Sequence, residues 1–229
     1  MNDDLNLNRL AEIPDPFEGS TRIPDRPMHP DRWPRSSDRR RVRGVRLAAA
    51  VGALLYDAAW VAWVERRPDL TTVSPSRLVF GLAGSLVAAM LALAAATRRG
   101  KAGLGETKAR VVALAIGSPV LFTMATLLGT PAQAFDARFW GHAAGCVLVS
   151  ALLATGPLAL GALAFRHAFA IVSVWRTAAL GLACGALAAA TMTLVCPIDN
   201  AAHVLVGHGT ILVIAGAVGT VLGRRTCRT

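Results

Sequence analysis

Six long apolar runs, at roughly 45–64, 78–97, 111–129, 141–165, 177–195 and 203–222, constrain this chain more than any other feature. A helix rises about 1.5 Å per residue and the hydrocarbon layer of a bilayer is about 30 Å thick, so a spanning helix needs about 20 mostly apolar residues. The runs meet that length, and charged residues are almost confined to the stretches between them. Inside a bilayer the backbone has no water to bond, so such runs cross as helices. Composition agrees, with 54% hydrophobic and only 17% charged residues. The expected fold is all-α: a six-helix transmembrane bundle at 45–229, preceded by a largely disordered cytoplasmic arm at 1–44.

The first apolar run begins only after 44 polar residues, so it does not read as a cleaved signal peptide. Basic residues set the orientation. With the N-terminus inside, the inner side holds ten arginines up to Arg46, five Arg or Lys at 98–110, Arg166, Arg176, Arg224, Arg225 and Arg228. The outer side holds Arg66, Arg67, Arg77 and Arg138. This asymmetry favours a multi-pass membrane protein with both termini on the inner, cytoplasmic side. The net charge of +10 is then accounted for by topology and by attraction to anionic lipid heads. Direct binding of nucleic acid is not expected.

The arm itself divides in two. Residues 1–20 carry Asp3, Asp4, Glu12, Asp15 and Glu18 against Arg9, whereas 21–46 carry nine arginines against three aspartates. Prolines at 14, 16, 24, 27, 30 and 34 exclude one continuous helix. The basic half, 21–44, reads as a linker lying on anionic lipid. The acidic half has Leu5, Leu7, Leu10 and Ile13, enough for a turn or two of amphipathic helix. A helix that short is marginal in water, so it is expected to order against a partner.

Small residues mark the packing faces. Gly181, Gly185 and Ala189 in the fifth run, and Gly219 and Gly223 in the sixth, recur at four-residue spacing. Such faces let helix backbones approach closely. Gly156-Pro157 is expected to kink the fourth run.

Residues able to do chemistry gather at the outer ends of the helices. His142 and Cys146 are four apart near the start of the fourth run, Cys196 closes the fifth, and His203 opens the sixth. Asp199 lies in the intervening turn, and His208 about one and a half turns deeper. A thiol pair there can be oxidised, because the periplasm permits disulfides. Cysteine and histidine four apart on a helix also suit a soft or borderline metal, and each residue taken alone also suits plain packing. Cys184 reads as packing, Cys227 as a thiol in a reducing compartment, and Asp57 as a carboxylate near the membrane surface. No Walker loop, HExxH, GxSxG or CxxC is present, and neither an enzyme nor a cofactor is expected.

Cys196-Pro197 after a small-residue-rich span, then His203, Gly207-His208-Gly209 and Leu222-Gly223-Arg224-Arg225, resemble the NrsF family over about 135–225. Those proteins are six-helix inner-membrane anti-sigma factors. In that family a Cys-Pro turn leads into a Trp-His-Gly segment and a last span ending in Gly-Arg-Arg. A second cysteine lies early in the fourth span after a tryptophan, the place held here by Trp140 and Cys146. Three departures stand out: Gly207 occupies the family's tryptophan position, the acidic residue after Cys-Pro is displaced to Asp199, and the arm is longer and richer in proline. The resemblance implies that the arm holds an extracytoplasmic-function sigma factor at the membrane, with Leu5, Leu7, Leu10 and Ile13 in an apolar groove. It also implies release on a signal received at Cys146 and Cys196, with His142, His203, His208 and Asp199 as further sensing or metal-binding candidates. A membrane thiol or quinone oxidoreductase and a small transporter are the alternatives.

Overall fold

In the computed structural model the residues described are 36–64, 73–97, 108–131, 138–165 and 174–226. The arm residues Leu5, Leu7, Leu10 and Ile13, and Cys227, lie outside them. Among the described residues every regular element is a helix. The six helices are α1 (Ser36–Trp63), α2 (Pro75–Thr97), α3 (Lys108–Gly129), α4 (Phe139–Phe165), α5 (Val174–Val195) and α6 (Ala201–Arg225). All six are long and apolar enough to cross a membrane, and their apolar segments agree with the expected runs to within three residues. The chain is a multi-pass membrane protein.

Local chemistry explains where these helices start and stop. Pro75 opens α2 in its first turn, where its missing N–H costs nothing. Pro197 follows Cys196 and prevents α5 from continuing. Asn200 then caps α6, its side-chain oxygen accepting the Ala202 N–H at 2.9 Å. Two short π-helical turns interrupt the regular geometry, Val79–Ala83 in α2 and Val204–His208 in α6. Within the spans, Thr126, Thr193 and Thr220 donate their hydroxyls to carbonyls four residues back, which satisfies them without water. Pro157 lies inside a continuous α4, as Pro119 does inside α3.

The centre of the bundle is α5, with 67% of its span buried inside the protein, against 11% for α1. The small-residue faces explain this. A Cβ added at Gly181 would strike the Ala215 carbonyl, and one at Gly219 would strike the Thr177 carbonyl. The α5 and α6 backbones therefore touch directly, as the four-residue spacing anticipated. Ala179, Ala186, Ala188, Ala189 and Ala190 complete the interior of α5. Large apolar side chains such as Leu54, Met90, Met124, Leu148 and Val213 point outward, as suits contact with lipid.

One end of the bundle gathers the end of α3 and the starts of α2 and α6. Gly129 packs on Phe80, the Ala201 N–H donates to the Pro131 carbonyl at 3.1 Å, and Arg77 pairs with Asp199 at 3.2 Å. These contacts fix the turn between α5 and α6 that carries the unusual side chains.

Candidate functional site

The site begins with the Cys-Pro turn. Cys196 is the last residue bonded to α5, its N–H donating to the Met192 carbonyl at 2.8 Å, and it is buried. Cys146 reaches it from α4, with the two sulfurs 3.6 Å apart. On α4 the buried positions are Phe139, Ala143, Ser150, Leu153, Ala154, Pro157 and Gly161, with Cys146 half-buried on the same stripe. Both thiols are free.

Two histidines complete the cluster from α6. His203 is 1% exposed and its Nε2 lies 3.5 Å from the Cys196 sulfur. His208 is 2% exposed, and its buried Nε2 has no hydrogen-bond partner by distance and angle, although the ring is near enough to act on the Cys196 thiol. The π-helical turn explains how residues five apart share a face. In an α-helix five residues rotate well past one turn, whereas i→i+5 bonding widens the turn and brings position 208 back over 203. The two rings pack edge to face at 5.7 Å, and Phe139 packs edge to face on His203 at 6.4 Å. One ligand atom from each of Cys146, Cys196, His203 and His208 lies within 4.8 Å of the others.

Electrostatics favour a reactive sulfur at Cys196. Hydrogen bonding from the Cys146 thiol holds the Cys196 thiol below its ordinary range; burial opposes this, and His203 and His208 add to the lowering. Access comes from the side. A narrow, partly open cleft is lined by Arg77, Thr193, Asp199, Cys196 and His208 among others. The Arg77–Asp199 pair stands in its wall.

The family model described as negative regulator of sigma F, NrsF, matches residues 33–228. The chain belongs to the NrsF family. No curated protein and no solved structure matches it. The match covers all six helices, and a regulator of a sigma factor is what the family's description names.

The NrsF cluster differs from the sequence expectation in several ways. Cys146, Cys196, His203 and His208 come together, and His208 is a full member of the group because of the π turn. His142 does not join: it is exposed, beside the stripe of α4 that buries Phe139 and Ala143. Asp199 bonds Arg77 and lines the cleft, outside the four-residue group. Asp57, expected near the outer end of its span, is only 5% exposed within the bundle.

Sequence reasoning also missed two participants. Arg77 counted only as an outer charge, because nothing in a single sequence pairs positions 122 apart. Gly207 stood out as a departure from the family pattern, and the structure gives its consequence. A Cβ there would sit 3.1 Å from the Cys146 Cβ and 3.5 Å from His203 Nε2, so glycine leaves room for the cluster.

Proposed function

We propose that this protein is an inner-membrane anti-sigma factor. Residues 1–20 hold an extracytoplasmic-function sigma factor, and a signal at Cys146 and Cys196 releases it. The NrsF family match across all six helices is the observation that carries the reading. The acidic, leucine-bearing character of 1–20 supports the first half, since it suits a basic protein surface with an apolar groove. In this reading both termini are cytoplasmic, and the basic residues 21–44 lie on anionic lipid.

The thiol pair supports the second half. A hydroperoxide would oxidise one thiol to a sulfenic acid, releasing the alcohol, and the other thiol would displace water to form the disulfide. Two thiols and one hydroperoxide thus become one disulfide, one water and one alcohol. The sulfurs must close from 3.6 Å to about 2.05 Å, which draws α4 against the turn before α6. That movement is what would reach the arm. The same pair also suits a thiol oxidoreductase, which would show multiple turnovers with a dithiol substrate.

Deleting 1–20 should raise transcription from the sigma-dependent promoter while the protein stays in the membrane. Leu10→Asp should act in the same direction by placing a charge in an apolar contact. No change in that transcript with the truncated protein present would end the anti-sigma reading.

A further inference from the structure

We propose that Cys146, Cys196, His203 and His208 form a closed tetrahedral site for one Zn2+ ion, which ties α4 to the turn and first residues of α6. The inference rests on reading this cluster as the signal-receiving site and adds the ligand that it holds in its resting state.

Spacing is the first argument. With Zn–S bonds of about 2.3 Å and Zn–N bonds of about 2.0–2.1 Å, a tetrahedron has S···S edges of about 3.8 Å and S···N edges of about 3.6 Å. The Cys146–Cys196 sulfur separation is 3.6 Å and the Cys196–His203 separation is 3.5 Å. All four ligand atoms fall within 4.8 Å of one another, so small side-chain rotations complete the set.

The second argument is His208. Its buried Nε2 makes no hydrogen bond of good distance and angle, and the Cys196 thiol it acts on is a weak partner, so most of what the nitrogen loses on leaving water is not regained. A metal bond would compensate for that loss. The π-helical turn that carries His208 into the cluster points the same way, since such bulges recur at functional sites and α-helical geometry would carry residue 208 off this face.

Charge and donor chemistry select the ion. Two thiolates and one divalent cation sum to zero, so the filled site buries no net charge between the helices. Calcium and magnesium require oxygen ligands, and a monovalent soft ion would leave one negative charge uncompensated. Four protein ligands leave no open position, which marks a structural site rather than one that activates water.

The test uses the full chain in detergent, reduced, freed of metal under anaerobic conditions, then titrated with Zn2+ and separately with Co2+. One equivalent should bind, and Co2+ should give the intense visible absorption of a tetrahedral site together with a thiolate charge-transfer band. Replacing both Cys146 and Cys196 by serine should abolish that band, and Cys146→Ser or Cys196→Ser alone should reduce it to about half. His203→Ala and His208→Ala should each weaken affinity by more than the roughly 10–100-fold typical of losing an outer partner of a metal ligand. Cys184→Ser should behave as the parent. In the unsubstituted protein, Zn2+ should slow alkylation of Cys146 and Cys196 at least tenfold, a measurement that needs no variant to fold. Absence of a stoichiometric site, weak octahedral Co2+ absorption, or unchanged binding in the double histidine variant would overturn the proposal. None of these measurements involves a sigma factor, so their failure leaves the anti-sigma reading to its own test.

Discussion

Helices α1 and α5 both have the length and apolarity to cross a bilayer, yet they stand in opposite relations to the rest of the molecule. In α5, glycine and alanine dominate the interior, and 67% of the span is buried. In α1 the figure is 11%, and Val45, Leu47, Val51, Leu54 and Leu55 are exposed. Lipid tails are as apolar as leucine, so large apolar side chains give a membrane helix no reason to leave the lipid. Small residues do, because they let backbones meet. Hydropathy therefore marks which segments cross, and glycine and alanine mark which of them build the core.

The functional parts divide along the same line. α5 leads into Cys196 and fixes the site, whereas α1 starts at Ser36, so that 36–44 of the expected disordered arm already belongs to the helix. A few side chains attach α1. Tyr56 packs over Gly156 of α4 and donates to the Leu152 carbonyl at 3.0 Å, and Trp60 packs against the cluster that contains Cys196. Cys146 and Gly156 share α4. A shift of α4 at Cys146 would therefore be felt at Tyr56.

The contrast is most directly broken at the glycines. Gly181→Leu or Gly219→Leu should cost about 3 kcal/mol or more, because the obstructing atoms are backbone and cannot rotate away. Gly44→Leu in α1 has nothing within 4 Å and should stay within about 0.5 kcal/mol of the parent. Thermal unfolding in detergent, followed by circular dichroism, compares them. Similar midpoints for Gly181→Leu and Gly44→Leu would remove the distinction between core and periphery.

Asp57 sharpens it next. Both carboxylate oxygens are buried without a hydrogen-bond partner by distance and angle. Thr191 of α5 faces the group, but its hydroxyl already donates to the Leu187 carbonyl at 3.2 Å. An orphaned buried polar group costs about 1–3 kcal/mol, so Asp57→Leu should stabilise the bundle by that order. An ionisable residue kept inside a membrane at such a cost is a functional candidate by default. Repression should therefore change with Asp57→Leu even as stability rises. A stability loss would mean that the carboxylate is satisfied and that α1 is held by it.

Tyr56→Phe removes only the hydroxyl. The expected loss is about 1 kcal/mol for the hydrogen bond to Leu152. If α4 does relay the signal to α1, oxidation should release the sigma factor less effectively in this variant. A full response would place the relay elsewhere, with Trp60 the next residue to examine.

Much of this arrangement could be read from the amino acids, and the parts that could not share a cause. Apolar length located all six spans, and the four-residue glycine spacing located the α5–α6 contact. Cys146 and Cys196 were placed at one end because hairpin alternation brings span ends together. What escaped depended on rotation about a helix axis or on distant pairing. His142 and Cys146 are four apart, but only Cys146 lies on the stripe facing the core. His208 entered the site through a π turn, which shifts the phase of a helix without any residue type that announces it. Depth along α1 sets how near Asp57 lies to the membrane surface, but its burial depends on which side of α1 meets α5.

The smallest effect concerns the outer wall of the site. Arg77 and Asp199 form a partly exposed ion pair, with side chains 36% and 21% exposed. Such pairs contribute about 0.2–1 kcal/mol, so Arg77→Ala should barely move the unfolding midpoint. Its consequence should instead be kinetic. The pair lies in the wall of the cleft that reaches Cys196 and His208, and it joins the start of α2 to the turn before α6. Removing it widens the cleft and frees that turn, so a membrane-impermeant thiol reagent should modify Cys196 several times faster. Cys184, buried in the separate cluster around Ala95 and Leu180, should remain slow in both proteins. If Arg77→Ala leaves the Cys196 rate unchanged, the cleft is not the route to the site, and reagents must enter between α4 and α6 instead. If Cys184 accelerates equally, the substitution has loosened the whole bundle, and the ion pair contributes more to stability than an exposed pair should.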